Sequence, residues 1–257
     1  MSIPKIIHYC WFGSKEIPEM ELACIESWNK VLPEYKIMFW NEENFDISNI
    51  PYVKEAYDHK KYAFVSDYVR MYALYNYGGV YFDTDVEVIK PLDKFLEDNA
   101  FIGFENRTMI GTGIIGAEKK SALFGKMLKY YSEHHFVDSN GNIDTTTNVQ
   151  IITRILTEQG FDPHNSEQML PDIHIYERDF FCPKKMDDGS FSTTERSVTI
   201  HKFSGSWLTE REKKRGTNLI WRNVMRPIFK KIRLLITSLL GDNTAKKIEA
   251  SFRKILR

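Results

Sequence analysis

Tyr77-Gly78-Gly79-Val80-Tyr81-Phe82-Asp83-Thr84-Asp85-Val86-Glu87-Val88 decides how the rest of the chain is read. Two adjacent glycines interrupt a helix-like run. A short apolar, β-prone segment follows and ends in two carboxylates one residue apart. On an extended chain, residues two apart face the same side, so Asp83 and Asp85 are expected to converge by strand alternation, with Thr84 between them. Oxygen donors at this spacing suit a hard cation such as Mg2+ or Mn2+, which keeps open positions for phosphate oxygens. Asp-x-Asp alone is a weak signal. The apolar lead-in strengthens it, because it puts the pair at a strand's C-terminal end, where open α/β sheets bind ligands.

Just upstream, Tyr62 to Tyr77 has the composition of a buried helix. Between Lys61 and Asp83 only Asp67 and Arg70 are charged. Three apart, they share a helix face. Buried charges are costly unless paired. The two therefore form either an ion pair inside the core or a pair aimed at the same cleft as Asp83 and Asp85.

Working outward, Ile3 to Phe12 reads as a first buried strand stopped by Gly13. Pro18 to Leu32 reads as a helix with Leu22, Ile25 and Trp28 at helical spacing, ended by Pro33. Tyr35 to Trp40 is a second strand, and Asn41 to Ser48 a polar loop. Strand, helix, strand in that order predicts a βαβ unit and a mostly parallel sheet. Beyond the carboxylates, Val86 to Ile89 and Ala100 to Phe104 read as strands, with a helix starting at Pro91. Gly111 to Ala117 is a glycine-punctuated apolar segment that lacks the ending of a P-loop. Ser121 to His134 and Thr145 to Gln159 read as helices, the second capped by Asp144. Phe161 to Ser197 is broken by prolines. Val198 to Phe203 is a last strand, with Ser204 to Trp207 as a turn.

At 257 residues the chain suits one large domain or one and a half ordinary ones, and 42% hydrophobic with 27% charged residues fits a soluble globular protein. Aromatic residues, at 14%, are abundant enough to supply flat stacking surfaces. Cys10, Cys24 and Cys182 are scattered, which argues against a disulfide framework or a zinc site and for a reducing compartment. Met1 to Lys5 leads straight into strand-like sequence, so no leader peptide is expected. The sequence has no apolar run long enough to span a bilayer.

Net charge is zero, but residues 211–257 carry 14 basic and 3 acidic side chains, leaving the body at −11. In this tail Ile220, Val224, Ile228, Ile232, Leu235, Ile236 and Leu239 recur at helical spacing, with basic residues largely between them and Pro227 as an interruption. Three readings stay open: a helix docked on the body, an amphipathic helix on an anionic membrane, or a nucleic-acid contact. No recognition motif supports the last, and the membrane is the expected partner. The chain is thus divided into a catalytic domain, residues 1–210, and a basic helical tail, residues 211–257.

Taken together, several segments resemble glycosyltransferase family 32, the Asp-x-Asp sugar transferases of bacterial capsule and polysaccharide synthesis and of yeast mannan. The catalytic domain of the clostridial glucosylating toxins is similar at greater distance. The likeness is carried by Ile3 to Gly13, Ser27-Trp28, Trp40-Asn41, Ala63 to Arg70, Gly78 to Asp85, Gly113 to Ala117 and His201 to Trp207. It implies a GT-A fold, a Rossmann-like sheet with a nucleotide-sugar donor at its C-terminal edge. Trp11 then matches a ring stacking on the donor base, and Asp67 a carboxylate contacting ribose or sugar hydroxyls. Arg70 matches a basic residue near donor sugar and phosphate. Asp83 would face ribose or a metal-bound water and Asp85 would ligate the metal. Thr84 falls within the donor-binding segment. His201 matches a late metal or phosphate contact, or is simply a satisfied strand histidine. Ser206 and Trp207 match a loop over the diphosphate, though Trp207 also fits a core ring.

The resulting expectation is a Mn2+- or Mg2+-dependent, retaining hexosyltransferase using UDP-galactose or UDP-glucose. Its acceptor would be a lipid-linked saccharide of bacterial surface polysaccharide, and it would sit on the cytoplasmic face of the cell membrane. The rivals are a haloacid-dehalogenase-like phosphatase, with the first carboxylate as nucleophile, and a non-catalytic sugar- or membrane-binding protein. The phosphatase reading leaves Trp11, Asp67 and Arg70 without a task.

Overall fold

The protein is described by a computed structural model that covers residues 2–183 and 190–206 and four further helical positions, 228, 232, 236 and 237. Contacts group the chain into two units, Met1–Ser204 and Gly205–Arg257. Trp207 and nearly all of the basic tail lie outside the described residues.

The first unit opens with β1 (Ile6–Cys10), α1 (Glu19–Val31) and β2 (Lys36–Trp40). β1 and β2 pair in parallel from Ile6↔Lys36 to Cys10↔Trp40, the expected βαβ unit. Next come α2 (Pro51–Asp58), α3 (Tyr62–Tyr77), β3 (Gly79–Phe82) and β4 (Val86–Val88). A 3-10 turn at Asp93–Glu97 leads into β5 (Ala100–Phe104) and β6 (Ile110–Ala117). After α4 (Ala122–Ser132) and α5 (Asn148–Thr157) follow β7 (Gln168–Leu170), β8 (Ile173–Tyr176), α6 (Arg178–Phe181) and β9 (Thr199–His201).

Seven strands form one sheet in the order β2-β1-β3-β6-β5-β8-β7, and β4 pairs with β9 in a separate ribbon. In the large sheet only β6 and β7 oppose the common direction. This is the expected mostly parallel, Rossmann-like α/β sheet. Strand alternation divides its two cores. Tyr81 and Ile102 face one cluster, with Val65, Tyr68 and Leu123, while Val80, Phe82 and Phe101 face the other, with Trp28 and Phe181.

The passage from α3 to β3 depends on Gly78 and Gly79, whose φ angles are +67° and +115°. A Cβ on Gly79 would lie 2.5 Å from the Ile6 carbonyl oxygen, so only glycine lets β3 lie against β1 there. Buried His8 fixes the same corner. Its Nδ1 accepts from the Trp40 indole N–H at 3.2 Å, so its Nε2 donates to the Gly78 carbonyl at 2.8 Å. Burial lowers the His8 pKa to about 4, which keeps the ring neutral.

Several local expectations are corrected. α1 buries Glu21, Cys24 and Trp28, while Leu22 is exposed, because Trp28 sets the buried face by donating its indole N–H to the Val86 carbonyl at 2.7 Å. α5 is capped by Thr147 in a capping box with Gln150, not by Asp144, whose carboxylate accepts from the Thr146 amide at 2.9 Å. The glycine-punctuated segment Gly111 to Ala117 lies in the central strand β6. α2 gave no signal in the reading above, and the helix expected from Pro91 is a 3-10 turn. Among the described residues no helix is long and apolar enough to cross a membrane.

Candidate metal and donor site

β1, β3 and β5 run the same way, so Trp11, Asp83 and Glu105 emerge at one edge of the sheet. Asp83 follows the last residue of β3 directly, as expected. Its convergence with Asp85 has a different origin from strand alternation. Asp83-Thr84-Asp85 is a turn between β3 and β4, closed by the Val86 amide donating to the Asp83 carbonyl at 3.1 Å. Thr84 is buried within that turn.

The ribbon supplies a third group. β4 pairs with β9 in the register Val86↔His201, which sets the imidazole beside Asp85 with Nε2 to Oδ1 at 3.1 Å. One ligand atom each from Asp83, Asp85 and His201 falls within 4.8 Å of the others. The other Asp85 oxygen accepts from the Ser204 amide at 2.8 Å, and the His201 ring stacks on Phe203 at 4.0 Å. Burial pushes the Asp85 carboxyl up, but His201 and the Ser204 amide outweigh it and hold the pKa below the ordinary value. Burial lowers the His201 pKa, and Asp85, then Asp83, overcome that and raise it. Two carboxylate oxygens and an imidazole nitrogen on a rigid turn and ribbon make a fitting donor set for one divalent cation; the nitrogen favours Mn2+ over Mg2+. Backbone forms the adjoining wall: a Cβ on Gly113 would lie 2.9 Å from His201 Cε1 and 3.0 Å from Asp83 Oδ2.

α3 adds the charged pair. Arg70 Nη2 is 3.1 Å from Asp67, and Nη1 is 3.1 Å from Asp83 and 2.8 Å from the Thr112 carbonyl. The guanidinium lies over the Tyr81 ring at 4.5 Å, and the Tyr81 hydroxyl donates to Asp83 at 3.0 Å. Burial works against the Arg70 charge, but Asp83, Tyr81 and Asp67 outweigh it and keep the group protonated. Asp67 has the opposite balance. Burial dominates the pull of Arg70 and raises its pKa to about 6. The pair is a buried ion pair, and through Arg70 it is joined to Asp83.

Tyr81, Thr112 and Asn148 were missed in the sequence. Thr112 donates its hydroxyl to Asn148 Oδ1 at 2.9 Å, which ties β6 to the start of α5. Tyr81 was legible, since it lies two residues before Asp83. Thr112 and Asn148 carry no local signal. Trp11 is half-buried after β1, its indole N–H donating to the Lys15 carbonyl at 2.7 Å. Ser206 lies in an exposed turn of the second unit.

Residues 18–102 match the family described as "Glycosyltransferase sugar-binding region containing DXD motif", with the acidic turn inside the matched stretch. The match is to this region of about a third of the chain. Among curated proteins, the chain is 33% identical over 122 residues to inositol phosphoceramide mannosyltransferase 3 of Schizosaccharomyces pombe, covering 46% of this chain and 34% of that one. It is 28% identical over 142 residues to mannosyl phosphorylinositol ceramide synthase SUR1 of Saccharomyces cerevisiae, covering 52% and 37%. The chain thus spans little more than a third of these relatives. A solved structure, PaToxG glycosyltransferase, aligns over 61% of this chain and 68% of its own at 18% identity and TM-score 0.46.

Proposed function

We propose that this protein is a DXD-family, metal-dependent glycosyltransferase that moves a hexose from a nucleotide-diphosphate sugar to a saccharide acceptor. The observation that carries the reading is the meeting of Asp83, Asp85 and His201 within 4.8 Å at the strand ends. A divalent cation on these three groups would act as a Lewis acid and offset charge building on the departing diphosphate.

The chain's own groups have distinct tasks. Asp85 would ligate the metal directly, its carboxylate held by His201 and the Ser204 amide, with Asp83 and His201 completing the set. Arg70 holds Asp83 in place and adds a fixed positive field where negative charge develops. Asp67 accepts hydrogen bonds from donor hydroxyls, and Trp11 stacks on the base. Thr84, Ser206 and Trp207 complete the donor side. In the transfer, the bond from the anomeric carbon to the phosphate oxygen breaks and a bond to the acceptor oxygen forms on the same face. The acceptor proton goes to the leaving phosphate. An oxocarbenium-like state links the two, as in glycoside hydrolysis. NMR of the product tests this: an inverted anomeric centre rejects the same-face step.

UDP-galactose and UDP-glucose remain the first donors to try. The relatives' names add mannose to the panel and a ceramide-borne headgroup to the acceptors, which supports an acceptor carried on lipid. We place the protein on the cytoplasmic face of a bacterial membrane, in surface-polysaccharide assembly, with residues 211–257 as the attachment. Supporting this are the basic-apolar periodicity of that segment and Ile228 and Ile232, helical, exposed and four residues apart. Deleting residues 218–257 should free the protein from membrane fractions; a truncated form that still pellets rejects the attachment. Purified protein with Mn2+ and a nucleotide-sugar panel tests the activity itself. Nucleotide diphosphate release supports a transferase, phosphate release a phosphatase, and neither a binding protein.

A further inference from the structure

Glu105 stands at the end of β5, two strands across the sheet from β3, with β6 between them. The strand ends follow one another in space as Trp11 after β1, Asp83 after β3 and Glu105 past β5. At strand spacing, the step from the Asp83 strand to the Glu105 strand is roughly 10 Å, about the room a sugar ring needs beside the cation.

The intervening β6 is bare on the side that matters. Gly111 and Gly113 both line the notch, at the irregularity where the β5–β6 pairing jumps from Ile102↔Ile115 to Gly103↔Gly111. A Cβ on Gly111 would lie 3.5 Å from Glu105 Oε2, and one on Gly113 would lie 3.0 Å from Asp83 Oδ2. The Glu105 carboxylate and the acidic turn therefore border neighbouring positions on one glycine floor. A half-open notch lies there between Gly103, Glu105, Gly111, Gly113, Cys182 and His201, with a cavity volume of about 10 Å³. That is room for one water-sized group. A hydroxyl fits it.

We propose that this notch is the acceptor subsite, and that Glu105 takes a hydrogen bond from the acceptor hydroxyl entering it. With the donor base on Trp11, as proposed above, the donor would extend from the cation toward β1, and a hydroxyl from the β5 side would reach the anomeric carbon from the other flank. The glycine floor lets a saccharide approach the β6 backbone, and the carboxylate selects an O–H at a defined distance from the cation. Glu105 is a substrate-reading residue. This assignment rests on the transferase reading above.

The test compares the full chain with Glu105→Ala and Glu105→Gln in Mn2+ and uridine diphosphate. Methyl glucoside, galactoside and mannoside serve as probes, followed by saturation-transfer difference NMR. In turnover, hexoside and nucleotide sugar are varied separately. The expected result is a hexoside signal in the wild type that is lost in both variants. Acceptor KM should rise by about tenfold or more, the loss of one hydrogen bond to a charged group, while donor KM moves by less than about twofold. Glu105→Gln keeps the side chain's shape and decides the matter if Glu105→Ala lowers the melting midpoint. Equal signals in all three proteins overturn the assignment, as does a wild type that binds no hexoside, or a donor KM that rises as far as the acceptor KM. Binding of a hexoside through Glu105 without nucleotide diphosphate release from any donor supports the notch and rejects the transferase reading.

Discussion

Arg70 on α3 and Asp83 past β3 are joined by a 3.1 Å ion pair that fastens the candidate metal turn to the helix before it. The same guanidinium also holds Asp67 and the Thr112 carbonyl, so three elements meet on one planar fork. Lysine has one point charge and cannot replace that geometry. Arg70→Lys should lower kcat/KM by about 100-fold, and Arg70→Ala should also cost about 3 kcal/mol of stability by leaving buried Asp67 and part-buried Asp83 short of a partner. Nucleotide diphosphate release and urea unfolding measure the two effects.

Metal dependence should divide unequally among the three ligands. Chelation should abolish turnover and Mn2+ restore it. Asp85→Ala should be inactive at any Mn2+ concentration, since it removes the anion that also holds His201 and the Ser204 amide. His201→Ala should instead raise the Mn2+ concentration for half activity by about tenfold or more, as two carboxylates remain. A Mn2+ titration of activity distinguishes these, and chelator-resistant turnover would reject the metal reading.

Gly113→Ala tests the wall behind the cluster. The new methyl would lie 2.9 Å from His201 and 3.0 Å from Asp83, pushing the ligands apart without straining a left-handed backbone. Its Mn2+ requirement should rise while unfolding shifts little. Gly79→Ala should show the reverse emphasis, because its Cβ meets the Ile6 carbonyl at 2.5 Å and its φ is +115°. A loss of about 2 kcal/mol or more in urea unfolding is expected.

Two buried groups should tilt the pH dependence of stability in opposite directions. The folded His8 pKa, about 4, lies below its ordinary value, so His8 contributes stability above about pH 6.5 that is lost as pH falls toward 4. The folded Asp67 pKa, about 6, lies above its ordinary value, so its contribution is full below about pH 4 and is lost as pH rises through 6. Each amounts to about 3 kcal/mol at 1.4 kcal/mol per pKa unit. Urea midpoints between pH 4 and 7 should fall less on acidification in His8→Leu than in the wild type, and more in Asp67→Asn. Parallel curves for all three proteins would reject both assignments.

Much of this arrangement was legible without coordinates. The double glycine, the apolar strand and the carboxylate pair located the sheet edge, and the lone charges on an apolar helix identified Asp67 and Arg70 as partners. These signals are local, because helix and strand periods fix which side chains share a face within a few residues. The sequence also fixed no more than the candidacy of His201, which a strand histidine alone cannot settle.

Only tertiary structure decided how the groups meet. The acidic pair converges through a turn rather than along an extended strand, and His201 reaches Asp85 because β9 pairs with β4 in one particular register. Reversal of β6 between β3 and β5 brings Thr112, Gly113 and the Glu105 notch beside the metal turn. Asn148 arrives from α5 by the same packing. Such contacts join residues far apart along the chain, and their geometry is set by strand register and helix packing, neither of which leaves a periodic trace in the residues themselves.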